Sequence, residues 1–172
     1  GKSTTVVNLA VSMAQASKKV LLLDCDLRNS KIHTYLNTSN LEGLTSILSG
    51  MGELSTVLKE THIPNLKVIT SGIRPPNPSE LLGTEKMKAF LEEAKKEFDI
   101  ILMDAPPVLL VTDALVLAGI VDGVLMVTRS HQSVYEKTKR ALESIRKTGA
   151  RILGVVLNAM QDKGYKAYHY YY

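Results

Sequence analysis

Gly1-Lys2-Ser3-Thr4 opens an amphipathic run and matches the second half of the pattern G-x-x-x-x-G-K-[ST]. In a loop of that kind, backbone N–H groups wrap phosphate oxygens and the positive end of the following helix adds to the attraction. Lys2 is then placed to neutralise charge on β- and γ-phosphates, and the Ser3 hydroxyl to ligate Mg2+. Two further stretches, "VLLLDCD" and "IILMD", end hydrophobic runs on carboxylates. Asp24 and Asp26, two residues apart, are expected to share one face of an extended segment. With Asp104 they would set three carboxylates at strand ends beside a phosphate loop. That is enough for direct or water-mediated Mg2+ contacts and for a base that takes the proton of an incoming hydroxyl.

The elements that must position these groups follow from periodicity. "STTVVNLAVSMAQA" puts Val6, Leu9, Ala10 and Met13 on one helical face. "KVLLLDCD" is continuously apolar, as a strand buried on both faces should be. "GLTSILSG" predicts a short helix and "NLKVITSG" a strand. After a proline-stiffened loop, Ser79 is expected to cap a helix with Met87, Phe90, Leu91 and Ala94 inward. "DIILMDAPP" is the next strand, followed by a short helix at "TDALVLAG", the strand "DGVLMVTR", the helix "SVYEKTKRALESIRKTG" and the strand "RILGVVLN". Strand and helix in alternation predict an α/β fold, a mostly parallel, twisted sheet with helices on both faces. Ligands of such sheets sit at the carboxyl ends of strands, where Asp24, Asp104 and Asn158 fall. The upstream half of the phosphate loop and the strand feeding it are expected ahead of Gly1, so the first strand is missing from this chain.

The bulk composition narrows the class. A chain of 172 residues, 45% of them apolar, is one domain able to bury a core. Its net charge of +4 is mildly basic, without a Lys/Arg block dense enough for a nucleic-acid surface. Cys25 is the single cysteine, so no disulfide framework forms and a reducing cytosol fits; it reads as a buried, inert thiol. His33, His62, His131 and His169 are scattered, and no transition-metal site is expected. No apolar stretch is long enough to span a bilayer and no signal peptide is visible, which predicts a cytoplasmic protein.

Three motifs in order, "GKSTTVVNLA", "LLLDCDLR" and "IILMDAPP", resemble the Walker A, A′ and B motifs of bacterial protein-tyrosine kinases of the capsular and exopolysaccharide CpsD/CapB type. These form a branch of the Min- and Par-type P-loop ATPases, and "RPPNPSELL" with a tyrosine-rich tail resembles the kinase branch in particular. The resemblance covers essentially the whole chain. It implies ATP and Mg2+ as cofactors and autophosphorylation of tyrosines on neighbouring copies, followed by other protein substrates. Lys2 is then the phosphate lysine, Ser3 the magnesium hydroxyl and Thr4 an α-phosphate contact, with Gly1 part of the loop. Asp24, Asp26 and Asp104 take the metal and catalytic roles, and Asn158 an adenine contact. It further implies recruitment to the inner face of the plasma membrane by a membrane-embedded activator of the polysaccharide co-polymerase type, and a cognate phosphatase. Family members assemble into rings through an N-terminal helix that this sequence does not contain.

The last eight residues hold Tyr165, Tyr168, Tyr170, Tyr171 and Tyr172. Two units are expected: a kinase domain over 1–160 and a flexible tail over 161–172 that lacks Leu, Ile and Val. Fully extended, that tail reaches roughly 40 Å, at about 3.3 Å per residue. Five phosphates would add about −8 to −10 charge and reverse the sign of the domain. Tyr35 and Tyr135 are expected to pack or face solvent. Two other functions share the nucleotide site: a Min/Par-type ATPase switch, and a non-enzymatic nucleotide-binding scaffold that presents the tail.

Overall fold

A computed structural model describes residues 1–130 and 135–160. The tail over 161–172, with its five tyrosines and His169, and the segment holding His131 lie outside the described residues. Chain order is α1 (Lys2–Gln15), β1 (Val20–Asp24), α2 (Ile32–Tyr35), α3 (Leu44–Ser49), α4 (Leu54–Val57), β2 (Lys59–Glu60) and β3 (Leu66–Ile69). It continues through α5 (Pro78–Leu82), α6 (Glu85–Glu97), β4 (Ile100–Asp104), α7 (Asp113–Ala118), β5 (Val124–Arg129), α8 (Tyr135–Arg146) and β6 (Ile152–Asn158).

β1 is the centre of the molecule, and every one of its residues is buried. Alternation sends Leu21 and Leu23 to one side, where they pack with Leu44, Leu48, Leu82, Met87 and Leu91 from α3, α5 and α6. Val20 and Leu22 go to the other side, against Val7, Ala10 and Ala14 of α1 and Ile32 of α2. A strand with helices on both faces needs apolar residues at every position, which is why the "VLLL" run is continuous. β3 and β4 flank β1 in parallel, with Leu22 opposite both Val68 and Leu102. The same register sets Asp24 opposite Asp104.

The expected α/β fold with a mostly parallel sheet is present, and its details differ. The sheet is in two pieces: a four-stranded part ordered β2-β3-β1-β4, whose short edge strand β2 is antiparallel, and the parallel pair β5-β6. An apolar cavity of about 950 Å3 lies between β4 and β5, lined by Ile101 and Met103 from one and Leu125 and Val127 from the other. Val6, Leu9 and Met13 of α1 line it too, while the buried stripe of α1 is Val7, Ala10 and Ala14. The helix therefore has two apolar faces, one on β1 and one on this cavity. The cavity reaches Gly1 and Lys2 at the start of α1. Ser79 does not cap a long helix. Asn77 is the N-cap of α5 with Pro78 at the first turn, and α6 starts anew behind Thr84.

Because Leu22 is fully buried between helices and neighbouring strands, Leu22→Ala should cost about 2–5 kcal/mol of stability. Leu157→Ala, at a half-exposed position on β6, should cost far less. Urea unfolding of the two variants checks the contrast.

Candidate functional site

The amino end of α1 is uncapped. The first intrahelical bond runs from the Thr5 N–H to the Gly1 carbonyl at 2.9 Å, no side chain caps the turn, and no acidic residue lies in it. The N–H groups ahead of Thr5 therefore have no partner inside the helix, and they carry the positive end of its dipole. Such a terminus suits an anion.

Asp104 ends β4 directly beside this terminus. It is almost fully buried, and its Oδ2 is the one buried side-chain oxygen or nitrogen among the described residues without a hydrogen-bond partner. Burial pushes its carboxyl above the ordinary range, while a hydrogen bond from Ser3 and the charge of Lys2 pull the other way. A buried, unpartnered carboxylate oxygen next to a serine hydroxyl and an anion-binding terminus is a donor set that fits Mg2+. That ion keeps several waters and takes one or two protein oxygens together with phosphates.

Asp24 is held differently. Its Oδ1 accepts the Asp26 N–H at 3.2 Å, and its Oδ2 accepts the N–H groups of Lys31 and Ile32, each at 3.1 Å. It thus ties the loop after β1 and the start of α2 to the strand end. Burial, with the neighbouring Asp104 charge adding to it, lifts the carboxyl to about 7 against the pull of these N–H groups.

Asp26 departs from the expectation that it shares a strand face with Asp24. β1 stops at Asp24, and Asp26 begins a turn in which its Oδ1 accepts the Asn29 N–H at 2.9 Å. Its place is set by that turn and not by strand alternation. Among the described residues no group of three or more His, Cys, Asp or Glu side chains is disposed to hold a metal, so the three carboxylates do not form a ready-made cage. Asp24 and Asp26 spend oxygens on backbone N–H groups, and Asp104 alone keeps a buried oxygen free.

Asn158, at the end of β6, meets the same terminus. Its Nδ2 donates to the Gly1 carbonyl at 3.4 Å, and a Cβ on Gly1 would lie 2.3 Å from that nitrogen. Cys25 is fully buried, and burial pushes its thiol up. Thr4 pairs its hydroxyl with that of Tyr35 at 3.2 Å. Tyr35 is half-exposed and sits next to the phosphate turn, which no local pattern in the sequence signals.

Sequence reasoning also missed Arg28, Asp113 and the role of Ser79. Arg28 donates through Nε to Asp113 Oδ2 at 2.8 Å and through Nη2 to Oδ1 at 3.0 Å. Burial alone would raise the Asp113 carboxyl, but bonds from Arg28 and Ser79 outweigh it and hold it low. The only trace in the sequence is an arginine two places after the second aspartate of "DCDLR".

The raised Asp24 carboxyl has a thermodynamic consequence. Between its ordinary value of 3.8 and about 7, the folded protein holds a proton that the unfolded chain releases. Stability from this group is therefore full below about 4 and falls as pH rises towards about 7. Urea midpoints at pH 4.5 and 7.5 should show that decline in the wild type and a smaller one in Asp24→Asn.

Comparison with known proteins sets this geometry in a family. The AAA domain family matches residues 1–153. Tyrosine-protein kinase CpsD of Streptococcus agalactiae is 40% identical over 163 residues, covering 94% of this chain and 70% of the relative. Tyrosine-protein kinase wzc of Salmonella typhi is 39% identical over 173 residues, 99% of this chain, which spans only 24% of that protein's length. The crystal structure of the chimerical protein CapA2B2 superimposes with a TM-score of 0.90 at 39% identity, over 93% of this chain and 71% of that one. A septum site-determining protein MinD from Pyrococcus horikoshii, solved in complex with Mg-ADP, gives 0.76 at 25% identity, over 91% of this chain and 64% of that one. With its parallel sheet and uncapped α1, the chain belongs to the bacterial tyrosine-protein kinases, within the P-loop ATPases of the MinD type.

Proposed function

We propose that this chain is the ATP-dependent kinase unit of a protein that autophosphorylates a C-terminal tyrosine cluster in trans and regulates capsular or exopolysaccharide synthesis and export. The observation that carries the reading is Asp104: a buried carboxylate oxygen with no partner, next to Ser3 and the uncapped start of α1. Kinship with named tyrosine-protein kinases supports the choice of acceptor.

In this reading Gly1, Lys2, Ser3 and Thr4 hold the phosphates of ATP, through backbone N–H groups, the Lys2 ammonium and the two hydroxyls. A bound Mg2+ would supply charge neutralisation for the phosphoryl group during transfer. Ser3 and Asp104 are the residues to hold it directly, with Asp24 and Asp26 acting through water. Asn158 contacts the adenine. A tyrosine hydroxyl enters protonated, since its ordinary pKa is near 10. The new bond forms between its oxygen and the γ-phosphorus as the bond to the bridging oxygen of ADP breaks, and the proton passes to a carboxylate such as Asp24.

Residues 1–160 make up the kinase unit, and the tail over 161–172 supplies the acceptors Tyr165, Tyr168, Tyr170, Tyr171 and Tyr172 to another copy. No helix among the described residues is long and apolar enough to cross a membrane. The site faces the cytoplasm, where a membrane-embedded activator recruits it to the inner surface, and a cognate phosphatase resets the tail.

The test is incubation of the full-length protein with Mg-ATP, followed by phosphosite mapping by mass spectrometry. Phosphotyrosine within 165–172 is expected in the wild type, and at least a hundredfold less in Lys2→Met, because a charge-stabilising donor is typically worth about 10²–10³ in rate. ATP hydrolysis without phosphotyrosine would identify a Min/Par-type switch. Nucleotide binding that survives Asp24→Ala, with no transfer in either form, would identify a scaffold.

A further inference from the structure

The stretch "RPPNPSELL" and the residue Arg28 are given no task by the chemistry proposed above. Ser79, in α5, donates its hydroxyl to Asp113 Oδ1 and pairs with the Thr112 hydroxyl at 3.0 Å. Asp113 opens α7 and is fully buried. Both of its oxygens are taken by the Arg28 guanidinium, and Nη2 of Arg28 also reaches the Ser79 hydroxyl at 3.4 Å. Arg28 lies inside the turn that Asp26 begins, so this turn after β1 is tied to two helices far away in sequence.

We propose that Arg28, locked by Asp113 and Ser79, is a positioning residue for Asp26, holding the Asp26–Asn29 turn in register with Asp104. The proposal rests on the Mg-nucleotide reading of the site. Asp26 lies beyond the last residue of β1, and its N–H donates back to Asp24 Oδ1 at 3.2 Å. Its Oδ1 accepts the Asn29 N–H, which closes the turn, and buried Leu27 holds the turn's inner side in the core. On the outer side the anchor is the guanidinium fork, whose two parallel N–H groups set both distance and angle against a carboxylate. Lysine keeps the charge but has no such fork. Asp26 lies within electrostatic reach of both ends of the arrangement: its charge acts on Arg28 and on Asp104. A shift of the Arg28 anchor therefore changes the spacing of Asp26 from the Asp104 oxygen that waits for metal. The serine of "PNPSELL" is, on this account, the outer clamp of the metal-side turn.

The test is binding of a fluorescent ATP analogue to the full chain, in Mg2+ and in EDTA, for wild type, R28K, S79A and D113N. Outer partners of metal-site groups typically change metal affinity by about 10–100-fold. R28K and D113N should weaken Mg2+-dependent binding by about tenfold or more while leaving binding in EDTA unchanged, as expected of metal-site positioning. S79A, which leaves the guanidinium–carboxylate pair in place, should act in the same sense with a smaller loss. Should D113N fail to fold, R28K and S79A decide the outcome. Equal losses with and without Mg2+, or Mg2+-dependent affinity that stays at the wild-type value, would overturn the proposal. A wild-type chain that binds no nucleotide would instead overturn the reading of the site on which it rests.

Discussion

Two buried carboxylates at matched positions of adjacent parallel strands are the constraint around which this molecule is arranged. Asp24 and Asp104 face each other across the β1–β4 ladder, both nearly inaccessible to water. Like charges in such a place destabilise one another, and burial raises both carboxyls. The fold answers on each side with local donors. The turn and α2 wrap back to give Asp24 three backbone N–H groups, and α1 starts where Ser3 and Lys2 can oppose Asp104. What is left over among the described residues is a single unpartnered buried oxygen, Asp104 Oδ2.

The fully buried strand β1 explains why this arrangement holds. Leu21 and Leu23 on one face and Val20 and Leu22 on the other lock the strand between two helical layers. Its end cannot move without disturbing both. The turn that follows is tied back by Asp24 and by buried Leu27, and the Arg28–Asp113–Ser79 contacts add a hold from α5 and α7.

What the sequence made legible is what depends on neighbours along the chain. Continuous apolar runs located β1, β4, β5 and β6, although only β1 is buried at every position and β6 alternates half-buried with exposed residues. Asp24 and Asp104 were legible as run-ending carboxylates. Asp26 was misjudged, since a period of two applies only while the chain is extended and β1 stops at Asp24. Ser79 resembled a cap, but Pro78 begins the helix and frees the serine to reach Asp113. The helices α2 and α4 and the strand β2 are too short to show a period. The Arg28–Asp113 pair joins residues 85 positions apart, so no pattern along the chain signals it. Of the helical face read on α1, Ala10 is buried in the core with Val6 and Met13 packed against it, while Leu9 lines the cavity.

The central claim is that metal and nucleotide meet at the Asp24–Asp104 pair. It is tested most directly by calorimetric titration of Mg-ATP into the full-length protein near pH 7, in buffers of low and high ionisation enthalpy. Because burial lifts the Asp24 carboxyl to about 7, binding of Mg-ATP beside it would release part of the proton Asp24 holds, as metal binding does at its ligands generally. The account predicts buffer-dependent heats showing proton release in the wild type and clearly less of it in Asp24→Asn. Binding with identical heats in the two buffers would contradict it.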